Sequence, residues 1–140
     1  MNEATITQYI IHTFPEVETT EDFGYTFFFY GSDHKLPFAT LAASDNEYDS
    51  VSKLDREGVF RLNIGISKET FQSLFGKDKV VLSDYDFTAL DRFIPHPHYA
   101  PQHFICVLNP SEVTSGRVSE LLAEAYGIAV RRRARQGETQ

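Results

Sequence analysis

The stretch that decides the fold is VFRLNIGI, residues 59–66. Alternate residues of a β-strand project to opposite faces of a sheet. One alternate set, which includes Leu62 and Ile64, is apolar, whereas the other set contains Arg61 and Asn63. This period of two predicts a strand that buries one face in a hydrophobic core and presents polar groups on the other face.

Apolar runs elsewhere in the chain predict further strands. The segments 25–30, 37–43 and 104–108 are short and rich in aromatic or β-branched residues, and 80–82 is one more candidate. Three polar segments separate these runs, and we interpret them as an acidic connector at 16–22, a solvated loop at 44–58 and a helical turn at 88–93. The sequence therefore predicts four or five strands.

Helical periodicity predicts three helices around this sheet. The first ends at Pro15, the middle helix begins after Ser67 and stops at Gly76, and the last covers residues 114–133. We therefore predict an α+β fold in which N-terminal, middle and C-terminal helices pack on an antiparallel sheet. The length predicts a single domain over residues 1–135, followed by a frayed tail at 136–140.

Composition excludes several classes of protein. No stretch approaches the ~20 apolar residues that a membrane span needs, and the N-terminus lacks a basic signal-peptide region, so we expect a cytoplasmic protein. The single cysteine, Cys106, lies in an apolar run and is predicted to be a buried, unreactive thiol. A net charge of −7 argues against general nucleic-acid binding, which needs clustered cations.

One basic cluster stands out in this acidic chain. It consists of Arg131, Arg132, Arg133 and Arg135, at the end of the predicted last helix. Cations at that position interact favourably with the helix macrodipole, which accounts for the cluster without a ligand. Phosphate binding is the alternative.

The segment DRFIPHPHYAPQHFICVLNP, residues 91–110, contains three of the five histidines and four of the six prolines. Prolines favour extended backbone before them, so we expect a stiff segment that presents His96 and His98 on the same side. With Asp91 and His103, these imidazoles could hold a divalent metal such as zinc. The alternative, which we favour, is that the histidines make hydrogen bonds and orient the loop, without a metal or cofactor.

The polar face of residues 59–66 offers a second candidate site. Arg61 and Asn63, together with Arg56 just before the strand, would present a guanidinium fork and an amide to a cleft. Such a fork recognises carboxylate or phosphate through paired hydrogen bonds. The alternative is that Arg61 pairs with an acid of the chain, such as Asp55 or Asp91. No motif of a P-loop, a dinucleotide site, a serine hydrolase or a zinc protease is present.

Several stretches together resemble an uncharacterised, mostly actinobacterial family of unknown function. They are PFAT (37–40), SKLDREGVFRLNIGIS (52–67), FQSLFG (71–76), ALDRFIPHPHYAPQ (89–102), CVLNPS (106–111) and LLAEAYGIAVRRR (121–133). This resemblance spans nearly the whole chain and implies no activity. A looser, topological resemblance to the MmcQ/YjbR-like proteins implies a double-wing fold and DNA binding, with which the acidic charge disagrees.

We predict from these observations a small binding module for an anionic small molecule or a carboxylate. The predicted ligand-binding residues are Arg56, Arg61, Asn63, Asp91, Arg92, His96 and His98. The prediction requires the guanidinium of Arg61 and the imidazoles of His96 and His98 to line the same cavity. The alternatives are a metal-dependent hydrolase or isomerase that uses His96 and His98, and a DNA-binding domain. Whether the protein is an enzyme stays open, and a homodimer would cover exposed aromatic residues.

Overall fold

Within residues 1–138, which the computed structural model describes, the chain forms three helices and six strands. In chain order they are α1 (Glu3–Thr13), β1 (Val17–Asp22), β2 (Tyr25–Tyr30), β3 (Ala39–Ala42), β4 (Arg61–Gly65), α2 (Lys68–Phe75), β5 (Phe93–Pro95), β6 (Phe104–Leu108) and α3 (Glu112–Glu138). Short 3-10 turns cover Leu82–Asp84 and Ala100–Gln102. The predicted α+β fold is confirmed.

The six strands form one antiparallel sheet in the order β1-β2-β3-β4-β6-β5. The predicted central strand is β4, which pairs with β3 on one side and β6 on the other. The sheet has one strand more than the upper prediction. The segments 16–22 and 88–93 were wrongly assigned, because the first contains β1 and the second leads directly into β5. Residues 80–82 form no strand.

Both missed strands lie at the edges of the sheet. β1 has the sequence VETTED and is exposed over most of its length, so burial imposes no alternation on it. It pairs only with β2, whose aromatic residues 25–30 are the recognisable partner. β5 is three residues long and ends at Pro95, which suits an edge because proline has no N–H to donate.

One face of the sheet carries the main hydrophobic core. Leu62 and Ile64 of β4 are fully buried in one cluster with residues of α1 and α3. The neighbouring buried residues are Ile6 and Ile10 of α1, Ile105 and Val107 of β6, and Val118, Leu121, Leu122 and Ala125 of α3. The alternation predicted for residues 59–66 is therefore observed: its apolar set, which includes Leu62 and Ile64, lies on this core face, and the polar residues Arg61 and Asn63 lie on the opposite face.

The opposite face of the sheet is partly covered by the loop at residues 43–60. The prediction of a solvated loop is wrong at three positions, since Asp49, Ser52 and Leu54 are buried against the sheet. Cys106 lies on the same face and is buried as predicted, and burial raises the pKa of its thiol to about 12. A smaller apolar cluster forms here, beside the polar groups of β4.

The last helix is longer than predicted. It runs from Glu112 to Glu138, and the predicted tail at 136–140 therefore begins inside it, with residues 139 and 140 outside the described part of the chain. No helix within residues 1–138 combines the length and the apolar character that a bilayer span requires.

Gly65 provides a test of packing on the opposite face of the sheet. A Cβ atom added there would lie 2.8 Å from Cζ of Phe104, whereas one added at Gly116 of α3 meets no atom within 4 Å. We expect Gly65→Ala to lower the free energy of unfolding by about 1–3 kcal/mol through overpacking. Gly116→Ala should raise it by up to about 1 kcal/mol through helix propensity. Urea denaturation measures both, and a stable Gly65→Ala variant would contradict the packing described.

Candidate functional site

A cavity of about 840 Å³ extends from the opposite face of the sheet to the side that carries α3. Its walls are rich in aromatic residues and come from β2, the segment before β3, β3, β4, β6, the covering loop, the turn after β5 and α3. The aromatic lining residues are Phe23, Tyr25, Phe27, Phe38, Tyr48, Tyr99 and Phe104. A cavity of this volume, with apolar walls and few polar groups, is typical of small-molecule sites.

Arg61 organises the polar floor beside this cavity. Its Nε donates to Oδ1 of Asn63 over 2.9 Å, and its Nη1 donates to Oγ of Ser52 over 2.9 Å. Its Nη2 donates to Oδ2 of Asp49 in a buried ion pair. Asn63 continues the network, because its Nδ2 donates to Oγ1 of Thr40 over 2.8 Å. The residue is 0% exposed, and each of its three guanidinium nitrogens donates to a side chain of the same protein.

Burial and the charge of Arg61 fix the protonation states of the titratable groups in this polar floor. Burial alone would raise the pKa of Asp49, but the hydrogen bonds and the charge of Arg61 hold that pKa below its ordinary value. Burial, together with the carboxylate of Asp49, raises the pKa of Tyr25, whose hydroxyl donates to Oδ2 of Asp49 over 2.7 Å. Asp49 therefore stays ionised, Tyr25 stays neutral, and the ion pair leaves no net charge on the floor.

His96 begins a tight turn after β5. Its Nδ1 accepts hydrogen bonds from the backbone N–H groups of His98 and Tyr99, both over 3.0 Å. The ring is buried, and burial, followed by the nearby charge of Arg61, lowers its pKa to about 3. The predicted extended segment is wrong here, because Pro97 occupies a turn instead of continuing the strand.

The three histidines of this segment have different surroundings. His98 is half-exposed, with its Nε2 3.9 Å from Oδ1 of Asp49. The rings of His96 and His98 are 6.0 Å apart. His103 adopts a left-handed backbone conformation with φ 67° and contacts Phe71 of the main core. In the described part of the chain, no group of three or more histidine, cysteine, aspartate or glutamate residues is arranged to hold a metal.

The cavity brings together three of the predicted site residues, Asn63, His96 and His98. Arg61 lies beneath them and reaches the cavity only through Asn63 and Asp49. Neither of the partners suggested for Arg61, Asp55 and Asp91, is the one observed.

The other three predicted residues lie away from the cavity lining. Arg56 donates to the carbonyl groups of Ser52, Lys53 and Thr88 and so ties the covering loop to the segment before β5. The carboxylate of Asp91 accepts hydrogen bonds from Ser111 and from Thr114 at the start of α3. The Asp91 pKa is lowered by these bonds. Arg92 is exposed.

Two cations at the cavity were not among the predicted ligand-binding residues. Lys35 lies in the turn between β2 and β3, and Arg132 belongs to α3, where the sequence had indicated it only as part of the arginine cluster. Arg132 lies four residues after Ile128, which also lines the cavity, so it shares a helix face with this residue. Helical periodicity places Arg132 and Arg135 on the face of Ile128 and separates Arg133 from them, whereas nothing local marks Lys35.

The chain belongs to a family of unknown function, DUF6194, whose model matches residues 1–138. The predicted membership in an uncharacterised family is thus confirmed at this level. No curated protein is detectably similar in sequence.

One solved structure with a similar fold is that of a protein from Pseudomonas syringae, determined by a structural genomics consortium. The two structures superpose with a TM-score of 0.62 over 92% of this chain and 99% of the other, at 16% sequence identity. At that identity the similarity shows a shared fold alone.

The low pKa of His96 predicts a specific pH dependence of stability. The unfolded chain takes up a proton near an ordinary pKa of about 6.5, whereas the folded chain does so only near a pKa of about 3. Stability is therefore lost as pH falls below ~6.5, by about 1–2 kcal/mol between pH 6.5 and pH 5.

Urea denaturation at several pH values measures this loss. The control is His96→Asn, because an asparagine oxygen can accept the same backbone N–H groups without titrating. The variant should lose about 1–2 kcal/mol less than the native protein over this range. Equal losses would show that His96 is not buried in its neutral form.

Proposed function

We propose that this member of DUF6194 binds a small anionic molecule with an aromatic or apolar body inside the cavity. The observation that carries the proposal is the combination of a cavity of about 840 Å³ with aromatic walls and two cations, Lys35 and Arg132, among its lining residues. The cavity volume suits a drug-sized ligand.

The aromatic walls support an apolar body for the ligand. Phe23, Leu36, Tyr48 and Tyr99 line the cavity and are also among the most exposed large apolar residues of the chain. Phe23 and Tyr48 pack edge to face, with ring centroids 5.9 Å apart. Apolar surface gathered around one opening favours ligand binding, because burying it against an apolar ligand releases water.

The cations support an anionic group at one end of the ligand. Among residues 1–136, whose side chains the structure describes, neither Lys35 nor Arg132 forms an ion pair within 4.0 Å. Burial, followed by the charge of Arg135, lowers the pKa of Arg132, and the charge of Asp33 acts in the opposite direction. An anionic ligand would further offset the cost of burying this guanidinium. Both residues also line a smaller adjoining cleft of about 140 Å³ beside Arg133. This cationic group is local, since the chain as a whole carries a net charge of −7.

The two alternative functions receive less support from the same contacts. Nδ1 of His96 is occupied by two backbone N–H groups, so only its other nitrogen remains for a metal. Two arginines of the cluster make contacts that DNA binding does not require. Arg132 lines the cavity, and Arg133 lies over the ring of Tyr30, 5.9 Å from its centroid.

A pair of fluorescent probes tests the proposal. 8-Anilinonaphthalene-1-sulfonate has an aromatic body and a sulfonate, and N-phenyl-1-naphthylamine has the same body without a charge. We expect saturable binding of both, with the anionic probe bound more tightly. Arg132→Gln should weaken binding of the anionic probe about fivefold or more and leave the neutral probe unchanged, as expected for loss of one partly buried charge pair.

Arg131→Gln is the matched control, because Arg131 is an exposed neighbour that does not line the cavity. Circular dichroism establishes that each variant is folded. Equal weakening by the two substitutions, or binding of the anionic probe that never saturates, would overturn the proposal.

A further inference from the structure

We infer that the cavity also selects ligands bearing a neutral hydrogen-bond-accepting oxygen, such as a ketone, and that Nε2–H of His96 donates to it. This inference rests on the proposed function and adds a second recognition element to the same site. The proposed anionic end of the ligand would lie at Lys35 and Arg132, and the carbonyl oxygen at the imidazole.

The tautomer of His96 follows from its own hydrogen bonds. Nδ1 accepts from the backbone N–H groups of His98 and Tyr99, so it carries no hydrogen. A neutral imidazole has one protonated nitrogen, which must then be Nε2. The ring stays neutral at physiological pH because its pKa is about 3. His96 therefore presents a donor without a charge.

That donor has no acceptor in the described part of the chain. The residue is 4% exposed, yet Nε2 is not among the buried unsatisfied atoms, so this nitrogen keeps some accessible surface, and the residue lines the cavity. The ring is otherwise enclosed by aromatic neighbours, with Tyr99 4.9 Å and Phe104 6.3 Å away between ring centroids. A donor in such surroundings gains from a ligand oxygen that accepts its hydrogen bond.

The remaining polar groups of the floor have the same character. Oδ1 of Asn63 accepts from Nε of Arg61, which is always a donor, and this contact fixes the orientation of the amide. One amide hydrogen of Asn63 goes to Oγ1 of Thr40, so the second amide hydrogen and the hydroxyl hydrogen of Thr40 remain as donors. Asp49, the acceptor nearby, is engaged by Arg61 and Tyr25. The polar floor therefore favours ligand groups that accept hydrogen bonds over ligand groups that donate them.

A matched pair of ligands isolates this preference. 6-Acetyl-2-naphthoate and 6-isopropenyl-2-naphthoate have nearly the same shape and the same carboxylate, but only the first has a carbonyl oxygen in place of a methylene group. Competition against the bound anilinonaphthalene sulfonate gives both affinities. We expect the native protein to bind the acetyl compound about tenfold more tightly, as for one well-formed hydrogen bond in a partly desolvated site.

His96→Asn should abolish that preference, so that the two compounds bind with equal affinity, because the shorter amide does not reach the position of Nε2. His12→Asn is the control that should keep the preference, since His12 is an exposed residue of α1 that does not line the cavity. Equal affinities of the native protein for the two compounds overturn the inference even if a variant does not fold. In that case the proposed function stands as long as both compounds bind, whereas failure of both compounds and of the sulfonate probe removes the proposed function too.

Discussion

A charged guanidinium buried in the middle of a sheet is the constraint on which this structure depends. Arg61 is 0% exposed, and an unpaired charge in such a position is strongly destabilising. Its carboxylate partner, Asp49, lies twelve residues earlier in the chain, in the loop between β3 and β4. The loop must therefore fold back over the sheet, and it brings Ser52 and Leu54 with it.

The cavity is a consequence of this arrangement. The helices α1 and α3 contribute to the core on one face of the sheet, whereas the loop at residues 43–60 covers part of the opposite face. The loop supplies Asn46, Tyr48 and Asp49 to one side of the cavity, and the turn that begins at His96 supplies another side. A polar floor is thus enclosed by aromatic walls because a charge on β4 holds the loop in place. The same ion pair neutralises the polar floor, so the anionic ligand that we propose would be attracted by Lys35 and Arg132 instead of by Arg61.

Local sequence patterns were sufficient to predict the strands and helices that have one side in the hydrophobic core and the other side outside it. Residues 59–66 alternate because β4 separates an apolar core from a polar face, and α3 is periodic because it lies along that core. β1 shows no such pattern, since both of its faces meet solvent. The partner of Arg61 could not be predicted from spacing along the chain, because Asp45, Asp49 and Asp55 all belong to the loop between β3 and β4. Only the folded path of that loop determines which carboxylate meets the guanidinium. In the same way, Pro97 was compatible with either an extended segment or a turn, and the hydrogen bonds to His96 decide between them.

A double-mutant cycle on Arg61 and Asp49 tests the dependence of this face on their ion pair most directly. The free energies of unfolding of Arg61→Met, Asp49→Leu and the double variant are compared with that of the native protein. Each single substitution should cost about 3–5 kcal/mol because it leaves its partner buried and unpaired, and the double variant should cost no more than either single one. Additive losses would contradict this account, because they would mean that the two side chains stabilise the protein independently and that the loop needs no ion pair to cover the sheet.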